Sequence, residues 1–203
     1  YVFEKDADTG SYVQKQKLTA GDAAAGDKFG YSVSVSKGVI VVGAIQNDDA
    51  GSDSGSAYVF EKDADTGSYV QKQKLTAGDA EAGDNFGFGI SISEGVIVVG
   101  AYRSDDAGSN SGSAYVFKKN SDTGSYAQVA KLVADDAAAG DEFGRISSVS
   151  VAEGVVVVGA RRHGSNHGAA YVYGYTYTAP STSSSSSNSC CSNALSKFGF
   201  DFQ

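Results

Sequence analysis

One block of sequence is written along the chain again and again. YVFEKDADTGSYVQKQKLTAGDA starts at Tyr1 and returns letter for letter at Tyr58, a spacing of 57 residues. A drifted copy, YVFKKNSDTGSYAQVAKLVADDA, starts at Tyr115, and a fragment, YVYGY, starts at Tyr171. A fixed period of this length marks an array in which one supersecondary unit stacks on copies of itself, because a lone unit cannot bury its own apolar faces. About three units fit into the 203 residues, and the first and last are incomplete.

Each unit reads as four strands. The first follows Phe-Gly, as FGYSVSVS from Phe29 and FGFGISIS from Phe86. Alternation puts Phe29, Tyr31, Val33 and Val35 on one face and Gly30, Ser32, Ser34 and Ser36 on the other, so the large face is expected to pack. The second strand, VIVVGA from Val39 and again from Val96, is apolar on both faces and should lie deepest. SAYVFEK is the third. SYVQKQKLT is the fourth, reached through the turn DADTG, and its Lys72 and Lys74 read as guards of an exposed edge. The expected grading is buried, deeply buried, intermediate, edge. That suits an all-β, propeller-like array of four-stranded antiparallel blades, incomplete at both ends. A β-solenoid also repeats, but with shorter rungs and parallel strands.

Gly26-Asp27-x-Phe29-Gly30, then VVGA, then Gly55-Ser-Ala-Tyr-Val-Phe recur at Gly83 to Phe117 and at Gly140 to Tyr173. This pattern resembles the FG-GAP repeat of integrin α-chain propellers over residues 1–178. The resemblance implies blade units starting near 26, 83 and 140, after a partial unit at 1–25. It implies blade packing through Phe29, Gly30, Gly43, Ala44, Phe86, Gly87, Gly100, Ala101, Phe143, Gly144, Gly159 and Ala160. It also implies an extracellular or cell-surface role in adhesion or scaffolding. Calcium-binding members carry a DxDxDG-type loop between the first two strands. Here that place holds Ser36-Lys37-Gly38, Ser93-Glu94-Gly95 and Ala152-Glu153-Gly154, so the usual metal site is missing.

The remaining candidate sites are carboxylates and a basic loop. Asp6 with Asp8, and Asp63 with Asp65, could contribute oxygens to Ca²⁺, although Asp and Gly suit a hairpin turn equally. No other cofactor is expected. Asp48, Asp49, Asp105 and Asp106 stand in loops after the buried strand, either as a cation or basic-partner site or as solvated acids. The third copy of this loop is three residues shorter and reads RRHGSNHG, with Arg161 and Arg162 where acids stood. A basic rim beside acidic rims fits a head-to-tail contact between copies of the chain; simple drift of a terminal repeat fits too. His163 and His167 share that one loop. No nucleophile–base arrangement is evident, so the chain is read as non-catalytic.

Beyond the repeats, residues 179–189 form a Ser-rich flexible linker and 190–203 a tail. Cys190 and Cys191 are adjacent, a spacing that strains a mutual bridge, so on oxidation they would link to another chain or to a segment outside this sequence, with free thiols in a reducing compartment as the alternative. Phe198, Phe200 and Phe202 alternate like a further strand, one able to complete a blade in a neighbour. The net charge of −8 argues against nucleic acid, and no apolar run reaches membrane-spanning length. The leading expectation is a non-catalytic extracellular structural or adhesive repeat protein. It would self-associate into a filament by completing blades between chains. The alternative is a fragment of a cation-dependent adhesion propeller that binds another extracellular protein or a glycan.

Overall fold

The computed structural model describes residues 1–175 and 195–197. Fourteen strands follow one another: β1 (Val2–Lys5), β2 (Tyr12–Gln16), β3 (Phe29–Ser36), β4 (Val39–Ala44), β5 (Ser56–Lys62), β6 (Tyr69–Leu75), β7 (Gly89–Ser93), β8 (Val96–Ala101), β9 (Ser113–Lys119), β10 (Tyr126–Leu132), β11 (Val149–Ala152), β12 (Val155–Ala160), β13 (Ala169–Tyr175) and β14 (Leu195–Lys197). They form a two-stranded hairpin, β1–β2, and three antiparallel meanders in the orders β3-β4-β5-β6, β7-β8-β9-β10 and β11-β12-β13-β14. The meanders are the blades of an open, propeller-like series, here called blades 1, 2 and 3.

Local sequence explains the hairpins. Between β3 and β4, Lys37 (φ 47°) and Gly38 (φ 76°) both take positive φ, the two-residue turn whose twist matches the flanking strands. In the DADTG turn, Asp63 Oδ1 accepts from the Thr66 backbone N–H at 2.9 Å and from its hydroxyl at 2.9 Å.

The cores lie between blades. Blade 1 contributes Val41, Ala57, Val59 and Leu75, and blade 2 answers with Phe86, Ile92, Ile97, Val99, Tyr115 and Phe117. The same arrangement recurs one blade on. There Val96, Val98, Ala114 and Val116 of blade 2 meet Val149, Val151, Val156, Val158 and Tyr173 of blade 3. Each blade thus has a near face, turned toward its predecessor, and a far face, turned toward its successor. Among the described residues, the hairpin β1–β2 precedes blade 1, and Leu18 and Ala20 just after it join Val42, Ala44, Tyr58 and Phe60 in a smaller core.

The expected burial grading is corrected in two places. In blades 1 and 2 the third strand is as buried as the second: Ala57, Tyr58, Val59 and Phe60 are all within 3% exposure. It is sandwiched between blades, with its odd and even residues filling different cores. The large face of the first strand packs in blades 2 and 3, whereas in blade 1 Phe29 packs but Val33 and Val35 do not. There Val33 and Val35 are each 66% exposed, because among the described residues no inner strands of a preceding blade cover them. The third meander also acquires a fourth strand, β14, which pairs Leu195 with Tyr175 and Lys197 with Tyr173.

Candidate functional site

The seams between blades begin at the Phe-Gly and Gly-Ala elements. Phe86 stands edge-on to Tyr115 and Phe117, with centroids 5.6 and 6.0 Å apart. Phe29 meets Tyr58 and Phe60 in the same way, and Phe143 meets Tyr171 and Tyr173. Backbones touch beside these rings. A Cβ on Gly43 would lie 2.2 Å from the Gly87 carbonyl oxygen, and one on Gly100 would lie 1.8 Å from that of Gly144. Ala44, Ala101 and Ala160, next to these glycines, are wholly buried. Gly30 and Gly159 sit at the two ends of the series. Nothing lies within 4 Å of a Cβ on Gly30, while one on Gly159 would meet Ser148 of its own blade.

Polar clasps complete each seam. Gln73 Nε2 donates to the Tyr126 carbonyl at 2.7 Å, and the Tyr126 N–H donates back to Gln73 Oε1 at 2.7 Å. Gln16 holds Tyr69 identically. The Ser34 hydroxyl accepts from the Ile92 N–H, and that of Ser91 from the Val151 N–H. Lys37 pairs with Glu94 at 3.3 Å across the tips of the first hairpins. These clasps leave no local signal in the sequence, because each joins residues more than fifty positions apart.

The acidic loops do not form an open carboxylate site. Asp48 Oδ1 accepts from the Asp53 N–H and Asp105 Oδ1 from the Asn110 N–H, so both acids close their own loops. Asp49 binds Lys74, which also binds Asp22 at 2.6 Å and sits over the Tyr58 ring. Asp106 and Asp79 hold Lys131 at 2.5 Å over the Tyr115 ring. Lys74 is therefore not the solvated edge residue expected: its side chain is only 19% exposed. Its burial disfavours the charge, yet Asp22, Asp49 and Tyr58 outweigh that and hold its pKa above the usual lysine value. The Lys74 hydrogen bond holds the Asp22 carboxyl below its ordinary value. Burial pushes the Tyr58 hydroxyl up to about 12.

The third rim is built differently. Glu142, only 7% exposed, receives Arg145 at 2.7 Å, Arg161 at 2.6 Å and Arg162 at 3.0 Å. Arg145 also lies over the rings of Phe88 and Tyr102. His163 Nδ1 is 2.9 Å from Asp141 and Nε2 is 3.4 Å from Asp136, and its pKa is raised chiefly by the Asp141 hydrogen bond. Arg161 and Arg162 stay half exposed around an internal carboxylate.

At the other candidate positions, Asp6 Oδ1 accepts from the backbone N–H groups of Asp8 and Thr9 and from the Thr9 hydroxyl. Asp63 makes the Thr66 bonds described above, so in both turns the first carboxylate staples the turn while Asp8 and Asp65 remain exposed. Among the described residues, no group of three or more His, Cys, Asp or Glu side chains converges to hold a metal ion. Nor is any helix there long and apolar enough to cross a membrane. Cys190, Cys191, Phe198, Phe200 and Phe202 lie outside the described residues.

Sequence reasoning also missed the buried carboxylates of the Gly-Asp motif. Asp27, Asp84 and Asp141 are 6%, 7% and 4% exposed. Each accepts a 2.9 Å bond from the backbone N–H three residues earlier, bracing the loop that enters a blade. Their recurrence one residue after Gly in every unit was the available signal.

The near face of blade 1 is open. A cleft of about 920 Å³ runs between it and the hairpin, lined by Val2, Leu18, Phe29, Val33, Val35 and Ile40 among others. Its wall is β1, which pairs with β2 on one side only. In blades 1 and 2 the corresponding third strand pairs on both sides. At the opposite end, Val155 is 40% exposed and Val157 and Val172 are half buried. Their counterparts Val96, Val98 and Val116 are buried within 3%.

No curated protein matched the chain. The FG-GAP repeat family model matches it three times, at residues 12–60, 69–117 and 126–173. With the Phe-Gly and Gly-Ala seams recurring at the same places in the blades, the chain belongs to the FG-GAP repeat family.

Proposed function

We propose that this chain is a non-catalytic structural or adhesive repeat protein, acting outside the cell or at its surface. It self-associates by completing blades between copies, growing into a filament. FG-GAP repeats point to an adhesion or propeller-like repeat domain, and one observation carries the reading further. Val33 and Val35 are two-thirds exposed on a face that the same repeat buries wherever a neighbour is present. Contiguous exposed apolar surface of this kind marks a protein contact. An unpaired strand beside it adds a row of backbone hydrogen-bonding groups. Head-to-tail contacts whose rotation does not close make open filaments.

Sedimentation velocity over a range of concentrations tests this. Species larger than the monomer should appear as concentration rises and should be lost in Val33→Asp/Val35→Asp. A native chain that stays monomeric throughout would refute the proposal. The cation-dependent adhesion reading finds less support, because Asp49 and Asp106 are already engaged by Lys74 and Lys131.

A further inference from the structure

We propose that the rim where blade 2 meets blade 3 carries an oxyanion site. Arg145, Arg161 and Arg162 build it, Arg103 adjoins it, and its ligand is a phosphate group, free or as a monoester. The site is independent of the self-association proposed above.

The chain has four arginines, and all of them stand on this rim. The molecule is otherwise acidic, with a net charge of −8. Arg103 and Arg145 each lie 5.3 Å from the centre of the Tyr102 ring. Arg145, Arg161 and Arg162 converge on the carboxylate of Glu142. The internal repeat shows what they replace. Counted from Phe-Gly, Arg145 takes the place of Tyr31 and Phe88; counted from Gly-Ala, Arg161 takes the place of Ile45 and Tyr102. Ile45, Phe88 and Tyr102 are a small apolar cluster. Glu142 takes the place of Lys28 and Asn85. The third unit thus exchanges two apolar positions for guanidiniums and gains, at a third, the acid that gathers them. Random drift of a terminal repeat gives no reason for these changes to match.

Stability gives no reason either. Guanidiniums held on one carboxylate repel one another, and Arg145 Nε is buried without a hydrogen-bond partner among the described residues, a cost to folding. Local rules broken in this way mark functional positions. The chemistry that fits is oxyanion binding. A guanidinium offers five N–H donors in a planar fork matched to phosphate oxygens. Arg161 commits its Nε to Glu142, and Arg162 one Nη. Their other N–H groups have no protein partner among the described residues, and both side chains are half exposed. The neighbouring acids are engaged: Asp141 by His163, and Asp136 by His163 and the Tyr171 hydroxyl. Three guanidiniums around one carboxylate leave a surplus of two positive charges, which favours a dianion over a monocarboxylate. A tetrahedral group can also take donors from Arg161 and Arg162 together.

Titration of the full chain with inorganic phosphate at constant ionic strength tests this. It is run at about pH 8, where phosphate is a dianion, and read on the arginine Nε–Hε signals by NMR. Arg161 and Arg162 should shift saturably in the millimolar range, and acetate and chloride should act more weakly. Arg161→Gln and Arg162→Gln should each weaken phosphate binding about two- to five-fold, the range of an exposed ion pair. Lys72→Gln, at an exposed lysine on β6, should leave it unchanged. Arg162→Gln should also keep the urea midpoint of the native chain, whereas a purely structural arginine would lower it. A sugar phosphate that binds more tightly than inorganic phosphate would assign the site to a monoester, and one that binds no better would assign it to the free ion. No saturable shift, an equal response to acetate, or unchanged binding in Arg161→Gln/Arg162→Gln would overturn the site.

Discussion

Replacing Gly100 by alanine should destabilise the protein far more than a single methyl group suggests. The added Cβ would sit 1.8 Å from the Gly144 carbonyl oxygen and 2.6 Å from its carbon. Ordinary contact begins near 3.4 Å, so blades 2 and 3 must separate locally by about 1.6 Å (3.4 minus 1.8). The atoms met are backbone on both sides, so no flexible side chain can yield. Overpacking a well-filled site costs about 1–3 kcal/mol. A gap of 0.5–1 Å already forfeits a quarter to a half of the dispersion of the facing atoms, here those of the core between Val98, Val116, Val156 and Val158. We therefore expect a loss of about 3 kcal/mol or more. With urea slopes of about 1–3 kcal/mol/M, the unfolding midpoint should fall by about 1–3 M at an unchanged slope. Gly21→Ala is the control. Its φ is not positive and its nearest neighbour is the Gln71 side chain at 3.6 Å, so it should be neutral or stabilising by up to about 1 kcal/mol. If Gly100→Ala lay within about 0.5 kcal/mol of the native chain, the scale of a benign surface substitution, the close backbone seam would be wrong.

Other changes probe the polar seams and the rims. Gln73→Ala removes both bonds to the buried Tyr126 backbone and should cost about 1–3 kcal/mol in chemical unfolding; a silent substitution would contradict the clasp. Lys131→Met removes the cation shared by Asp79 and Asp106 and should cost about 1–2 kcal/mol near neutral pH. Both acids titrate below their ordinary 3.8 in the folded chain. Their contribution is therefore present above that pH and is lost as pH falls through the lowered folded values, so the variant's acid melts should be flatter than the native ones. His163 titrates above its ordinary 6.5. Its contribution is complete below that pH and fades as pH rises through the folded value, which NMR titration of the imidazole should show; titration below 6.5 would contradict the Asp141 contact.

Some of this was legible in the sequence and some was not, for definable reasons. The 57-residue period, the doubly apolar VIVVGA and the DADTG turn are signals within the sequence, and they found the strands and their order in each blade. Lys74 was misread because its partners Asp22 and Asp49 lie in other loops, and strand position alone suggests a solvated edge. The Gln73 and Gln16 clasps escaped for the same reason. The exposure of Val33 and Val35 could not be read from their own letters. Ile90 and Ile92 occupy the same place in the next unit and pack against its core. What differs is the neighbour, so a repeat sequence states what a face can bind and its position in the series decides whether the face is filled.

Hydrogen–deuterium exchange at low and high protein concentration tests the central claim most directly, namely that the two ends of the blade series are complementary. The amides of Val2–Lys5 in β1 and of Val33 and Val35 in β3 should gain protection as concentration rises, while the interior strand β8 is unchanged. If β1 and β3 exchange at the same rates at every concentration, the open face is not a docking surface for the chain's own blades.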